Sequence, residues 1–169
     1  MNQLSETKKY NIIRFIVISI MGTLLHFTYD WSGENPIVGL FSATNESTWE
    51  HLKLLFFPFL FMTIWKYFKY GGISKEFLSA RTISLLLGML FIVTTFYTVY
   101  GVTGRLIEWV NISLYYVAVA FTLWMEKKLL DRGFVISPYV SVAILIYMTV
   151  LFAIFTFKAP DVGIFRDYS

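Results

Sequence analysis

The chain has 169 residues, of which 57% are hydrophobic, 20% aromatic and only 15% charged. Soluble domains carry about 25% charged residues, so this chain cannot present a water-facing surface of the usual kind. The mean hydropathy of +0.63 points instead to a single membrane domain over residues 1–169. The net charge of +3 comes without any Lys/Arg cluster interleaved with aromatics, which excludes nucleic acid as a partner. The absence of cysteine excludes disulfides, thiolate metal sites and thiol catalysis.

A helix needs roughly 20 mostly apolar residues to cross a bilayer. From the N-terminus, the first such stretch is 11–30. Lys8, Lys9 and Arg14 give it the charged start of a signal peptide, but no A-x-A-like site follows and its apolar run is long, so it is expected to be retained. The loop "DWSGENPIVGLFSATNES" leads to a second span, 51–69. Ser47-Thr48-Trp49-Glu50 fits a capping box and predicts a helix start near Ser47. Pro58 should free the Leu54 carbonyl and kink this span. The basic loop "KYGGISKEF" precedes a third span at 82–101, and the turn "GVTG" a fourth at 106–125. The charged linker "EKKLLDRGFVISP" precedes a fifth at 138–157. The expected fold is an all-α bundle of five transmembrane helices. Ten Lys and Arg fall on the side of the N-terminus and only four on the other, which places the N-terminus in the cytoplasm and the C-terminus outside.

Costly polar groups concentrate in the outer halves of these spans. Helical rise puts His26 about 21 Å from the inner edge of the first span, with Asp30 one turn further on the same face and Tyr29 beside it. An ionisable residue at such depth marks a functional site by default. Glu46, Glu50 and Lys53 would share one face if the second helix began a turn before Ser47, while His51 points about 100° away from Glu50. On the third span Tyr97 joins Thr94 and Thr98. On the fourth, Glu108, Asn111 and Tyr115 recur at helical spacing.

Together these residues predict an outward-facing polar pocket. Its ligands would be His26, Asp30, His51 and Glu108, and its walls Tyr29, Trp49, Lys53, Tyr97, Asn111 and Tyr115. Glu50 and Glu46 are the candidates for proton transfer. Imidazole and carboxylate one turn apart suit a divalent metal ion. Three functions fit: binding of a cation or small polar ligand, a metal-dependent hydrolase acting on a lipid or amphiphile at the outer leaflet, or a structural subunit of a membrane complex. In the last, the polar groups simply join helices, with a neutral His26 bonded to Asp30 or a carbonyl. No HExxH, GxSxG, GxGxxG or P-loop is present. The inner halves hold only scattered groups such as Ser84, Thr122 and Ser141, which argues against a transport path.

The stretch "LHFTYDWSGENPIVGLFSATNESTWEHLKLLFFP" resembles an uncharacterised family of small bacterial multi-pass membrane proteins with an N-E-S-x-W-E-H-L-K signature. The resemblance extends to His26 and Asp30, to "YGVTG" and to "PDVGIFRD". It implies a bacterial cytoplasmic membrane protein and supplies no substrate.

Overall fold

A computed structural model describes residues 3–167, with side chains from residue 10 to residue 167. The Lys8 and Lys9 side chains of the charged start lie outside that range. Among the described residues the fold is entirely helical: α1 (Gln3–Trp31), α2 (Pro36–Gly39), α3 (Thr48–Tyr70), α4 (Lys75–Thr103), α5 (Glu108–Asp131), α6 (Pro138–Phe157) and a short 3-10 helix at Gly163–Phe165.

The five apolar stretches expected from the sequence fall on the five long helices. Three helical segments are long and apolar enough to cross a membrane: Tyr10–Trp31, Lys75–Thr103 and Pro138–Phe157. The helices outrun the apolar runs at both basic connections. α4 begins at Lys75, where the Ser74 side chain accepts the Phe77 N–H, and α5 continues through Glu126, Lys127 and Lys128. Lys and Glu are good helix formers, so charge ends the apolar run without ending the helix.

α3 is the axis of the bundle and packs on α1, α4, α5, α6 and the 3-10 helix. Its core includes Leu55, Phe56, Phe57 and Phe59, all nearly inaccessible. Pro58 lies inside it. The Leu54 carbonyl, deprived by Pro58 of its usual donor, is met by α1: a Cβ on Gly22 would sit 2.5 Å from Leu54 O and 1.9 Å from the Tyr115 hydroxyl. Only glycine lets α1, α3 and α5 converge there. α4 and α5 use Gly88 in the same way against Thr122.

An apolar cleft of about 570 Å³ opens between α3 and α6, beside Leu60, Ile64, Tyr67, Leu145, Ile146 and Val150. It contains none of the residues expected to line a polar pocket.

Candidate metal centre

α1 and α3 are joined by a loop that folds back onto both helices. Ser42 sits against α1, where its hydroxyl donates to the Leu25 carbonyl and accepts the Tyr29 N–H at 3.0 Å. These are the acceptor and donor of one turn of α1, so Ser42 is stitched into the turn that carries His26. Ala43 N–H donates to the same Leu25 carbonyl at 3.3 Å.

At the other end of the loop, Ser47 caps α3 by accepting the Glu50 N–H at 3.3 Å. The reciprocal half of the expected capping box is not made. The Ser47 N–H goes to Asn45 Oδ1 at 2.9 Å, and Glu50 reaches back to Thr44, accepting its N–H at 2.8 Å and its hydroxyl at 2.9 Å. Thr44 offers Glu50 two donors, and Asn45 already serves the cap nitrogen.

Glu50 is 2% exposed and pairs with Lys53, which is fully buried. The Lys53 ammonium also donates to the Gly39 carbonyl at 2.7 Å and to the Thr156 hydroxyl at 3.0 Å. Three ammonium protons thus meet three acceptors. This network ties loop, α3 and α6 together. It removes Glu50 from the expected proton-transfer role and Lys53 from the expected pocket wall, because both are consumed by partners within the fold.

Locked at Ser42 and Thr44, the loop delivers Glu46 to the histidines. Glu46 Oε1 lies 3.7 Å from His26 Nε2, and Glu46 Oε2 lies 3.3 Å from His51 Nε2. The three donor atoms lie within 4.8 Å of one another. A tetrahedral ion with bonds of about 2.1 Å holds its ligand atoms roughly 3.4 Å apart, so this spacing needs little adjustment.

His51 is also oriented from behind. Its Nδ1 donates to the Ser47 carbonyl at 2.9 Å, so the protonated ring donates from Nε2 to Glu46, and the neutral ring turns its Nε2 lone pair toward Glu46 and His26. His26 Nδ1 is buried and has no hydrogen-bond partner among the described residues. Side-chain exposures of 28% for His26, 34% for His51 and 49% for Glu46 leave the cluster open to water on one side. The hydrogen bond from His51 is the first cause holding the Glu46 carboxyl below its ordinary value; burial and the charge of Asp167 oppose it.

The other expected site residues are not among the three donors. Glu46 precedes α3 and so does not share a helical face with Glu50 and Lys53. Asp30 and Glu108 are exposed and stand outside the three-residue donor set. Tyr29 packs its ring against Gly39. Trp49 is a core residue, its ring 4.8 Å from that of Phe152 and 5.0 Å from that of Phe165. Tyr97 packs edge-on to Phe96, and Asn111 is half-buried on α5. The Tyr115 hydroxyl donates to the Ile18 carbonyl at 3.0 Å, two turns before His26 on α1. The polar stripes on α4 and α5 therefore stand outside the three-residue donor set, and Tyr115 ties α5 to α1.

Sequence reasoning missed Ser42 and Thr44, whose importance depends on the path of the loop. It also missed a buried ionic triad near the opposite helix ends. Glu126 meets Arg14 at 2.6 Å and also contacts Arg81, whose guanidinium lies 4.9 Å from the Phe59 ring. Arg14 within an apolar run was the available signal, since a charge held there needs a partner. Comparison with known proteins finds no curated protein and no solved structure that matches the chain. A family model does match residues 1–169, and the chain belongs to that family, the family of unknown function DUF6512.

Proposed function

We propose that this chain is a multi-pass membrane protein that binds a divalent metal ion through His26, Glu46 and His51 at its outer end. In this reading α1, α3, α4, α5 and α6 all span a bacterial cytoplasmic membrane, with the N-terminus inside. The carrying observation is the convergence of two imidazoles and one carboxylate from α1, the loop and α3 within 4.8 Å, with His51 oriented from behind by the Ser47 carbonyl. Two nitrogens and one oxygen suit zinc or another borderline ion.

A hydrolytic use is the second reading, favoured by the water-exposed side of the cluster, where an ion would keep a coordination position for water. In that case Glu50 is not the base, for the reason given above. Elemental analysis of the purified protein tests the metal reading, with about one ion per chain expected after exposure to zinc. His26→Ala and His51→Ala should each abolish binding while the protein stays folded. A wild-type protein that takes up no zinc, manganese or iron would sink the proposal.

A further inference from the structure

We infer that the apolar cleft between α3 and α6 holds one hydrocarbon chain of an anionic phospholipid whose phosphate is met by Lys66 and Lys75; this rests on the five-span arrangement above and not on the metal. The threonines that line the cleft, Thr63 and Thr149, donate to the Phe59 and Leu145 carbonyls of their own helices, each at 2.8 Å. Their hydroxyl protons are spent there, so the walls offer hydrocarbon rather than hydrogen bonds. Ile64, Ile146 and Val150 remain exposed along the cleft, which leaves it open sideways. In a bilayer that side is lipid, and a chain entering the groove restores dispersion contacts that the walls otherwise lack. The length agrees: Val142 to Val150 on α6 rise about 12 Å, close to the ~15 Å of hydrocarbon in half of a ~30 Å core.

The cleft closes at the end that carries the basic loop between α3 and α4, where Ile73 and Leu78 line it. Lys75 stands one turn before Leu78 on α4, and Lys66 one turn after Thr63 on α3. The Lys66 ammonium lies 3.4 Å from the centre of the Phe77 ring, which the Arg81 guanidinium also approaches, at 5.0 Å. Glu126 already serves Arg14 and Arg81, and neither Lys66 nor Lys75 forms an ion pair among the described residues. Counting Arg14, Lys66, Lys75 and Arg81 against Glu76 and Glu126 leaves two positive charges in excess. A basic pocket between helices on the cytoplasmic side is a seat for a lipid headgroup, and a phosphate placed there brings the charge this end lacks. A zwitterionic headgroup carries its own ammonium and cancels that gain.

The test titrates the full-length protein in detergent with phosphatidylglycerol or phosphatidylcholine and counts lipid-bound protein by native mass spectrometry. The wild-type chain should take up one phosphatidylglycerol in preference to phosphatidylcholine. Lys66→Gln and Lys75→Gln should each weaken phosphatidylglycerol by about fivefold and leave phosphatidylcholine unchanged. Ile146→Trp fills the cleft and should weaken both lipids, whereas Ile112→Trp, equally exposed but on α5, should weaken neither. Equal binding of the two lipids by the wild-type protein, or lysine variants that match it, would overturn the inference. So would light scattering that finds a dimer which Ile146→Trp dissociates, since the cleft then belongs to a second copy. The titration involves neither the ion nor the sidedness of the membrane, so a phosphatidylglycerol preference that survives a failed metal or orientation experiment leaves this site standing alone.

Discussion

Lys53 shows what a buried charge does in this fold. Fully enclosed, it is tolerable only because Glu50, Gly39 and Thr156 satisfy its protons, and Glu50 in turn holds Thr44 and through it the loop bearing Glu46. Lys53→Met strands the Glu50 carboxylate and should cost about 3–5 kcal/mol in a detergent unfolding titration. Replacing both residues, Lys53→Met with Glu50→Leu, should recover most of that stability yet leave the ion more weakly bound, since nothing then grips Thr44. A double variant whose loss equals the sum of the two single-variant losses would show that the pair is not coupled. Acid should separate two events at the same site. Because the folded Glu46 carboxyl lies below its ordinary value, its contact with the protonated His51 ring is present from the ordinary carboxylate range up to the pH at which that ring loses its proton, and is lost as pH falls through the lowered Glu46 value. Metal binding needs both imidazole lone pairs and so gives way earlier in an acid titration, nearer the ordinary histidine range. Metal content and histidine ring NMR signals followed together should show the ion leaving first.

Between elements, the closest approach decides the geometry. Gly22 sits one turn before His26, on the surface where α1 meets Leu54 of α3 and Tyr115 of α5. A methyl group there has no room, and Gly22→Ala should cost about 1–3 kcal/mol by forcing the helices apart. Because His26 rides on the same face, zinc affinity should fall as well. Gly101→Ala on α4, where nothing lies within 4 Å, is the control and should leave zinc affinity unchanged and cost no stability. That pairing also explains what could be read from the sequence. The long helices were legible because each carries an apolar run, and His26, Glu46 and His51 stood out as costly groups near the ends of such runs. Their mutual arrangement was not legible. It depends on Ser42 returning to α1 and on Glu50 choosing Thr44 over the cap nitrogen, and both are competitions among hydrogen-bond partners that no periodicity records. The same ambiguity merged α4 and α5 tyrosines into the expected pocket, although helical spacing cannot distinguish a tie between helices from a lining residue.

Across the whole molecule, the two clusters of ionisable groups occupy opposite ends. The His26–Glu46–His51 cluster lies where α1 ends and α3 begins, whereas Arg14, Arg81 and Glu126 gather near the start of the apolar segment of α1, the start of α4 and the end of α5. The sequence, with the proposed five spans, puts ten Lys and Arg on the side of the triad and four on the other. Under the proposed five-span arrangement, that end faces the cytoplasm and the metal cluster faces outward. A chelator unable to cross membranes should then strip the ion from intact cells expressing the protein, and inverted membrane vesicles should protect it until detergent is added. The reverse pattern, with the ion lost from inverted vesicles and retained in cells, would overturn the orientation while leaving the ligand set untouched. His26→Ala supplies the background in both preparations, because its membranes should carry no ion to lose.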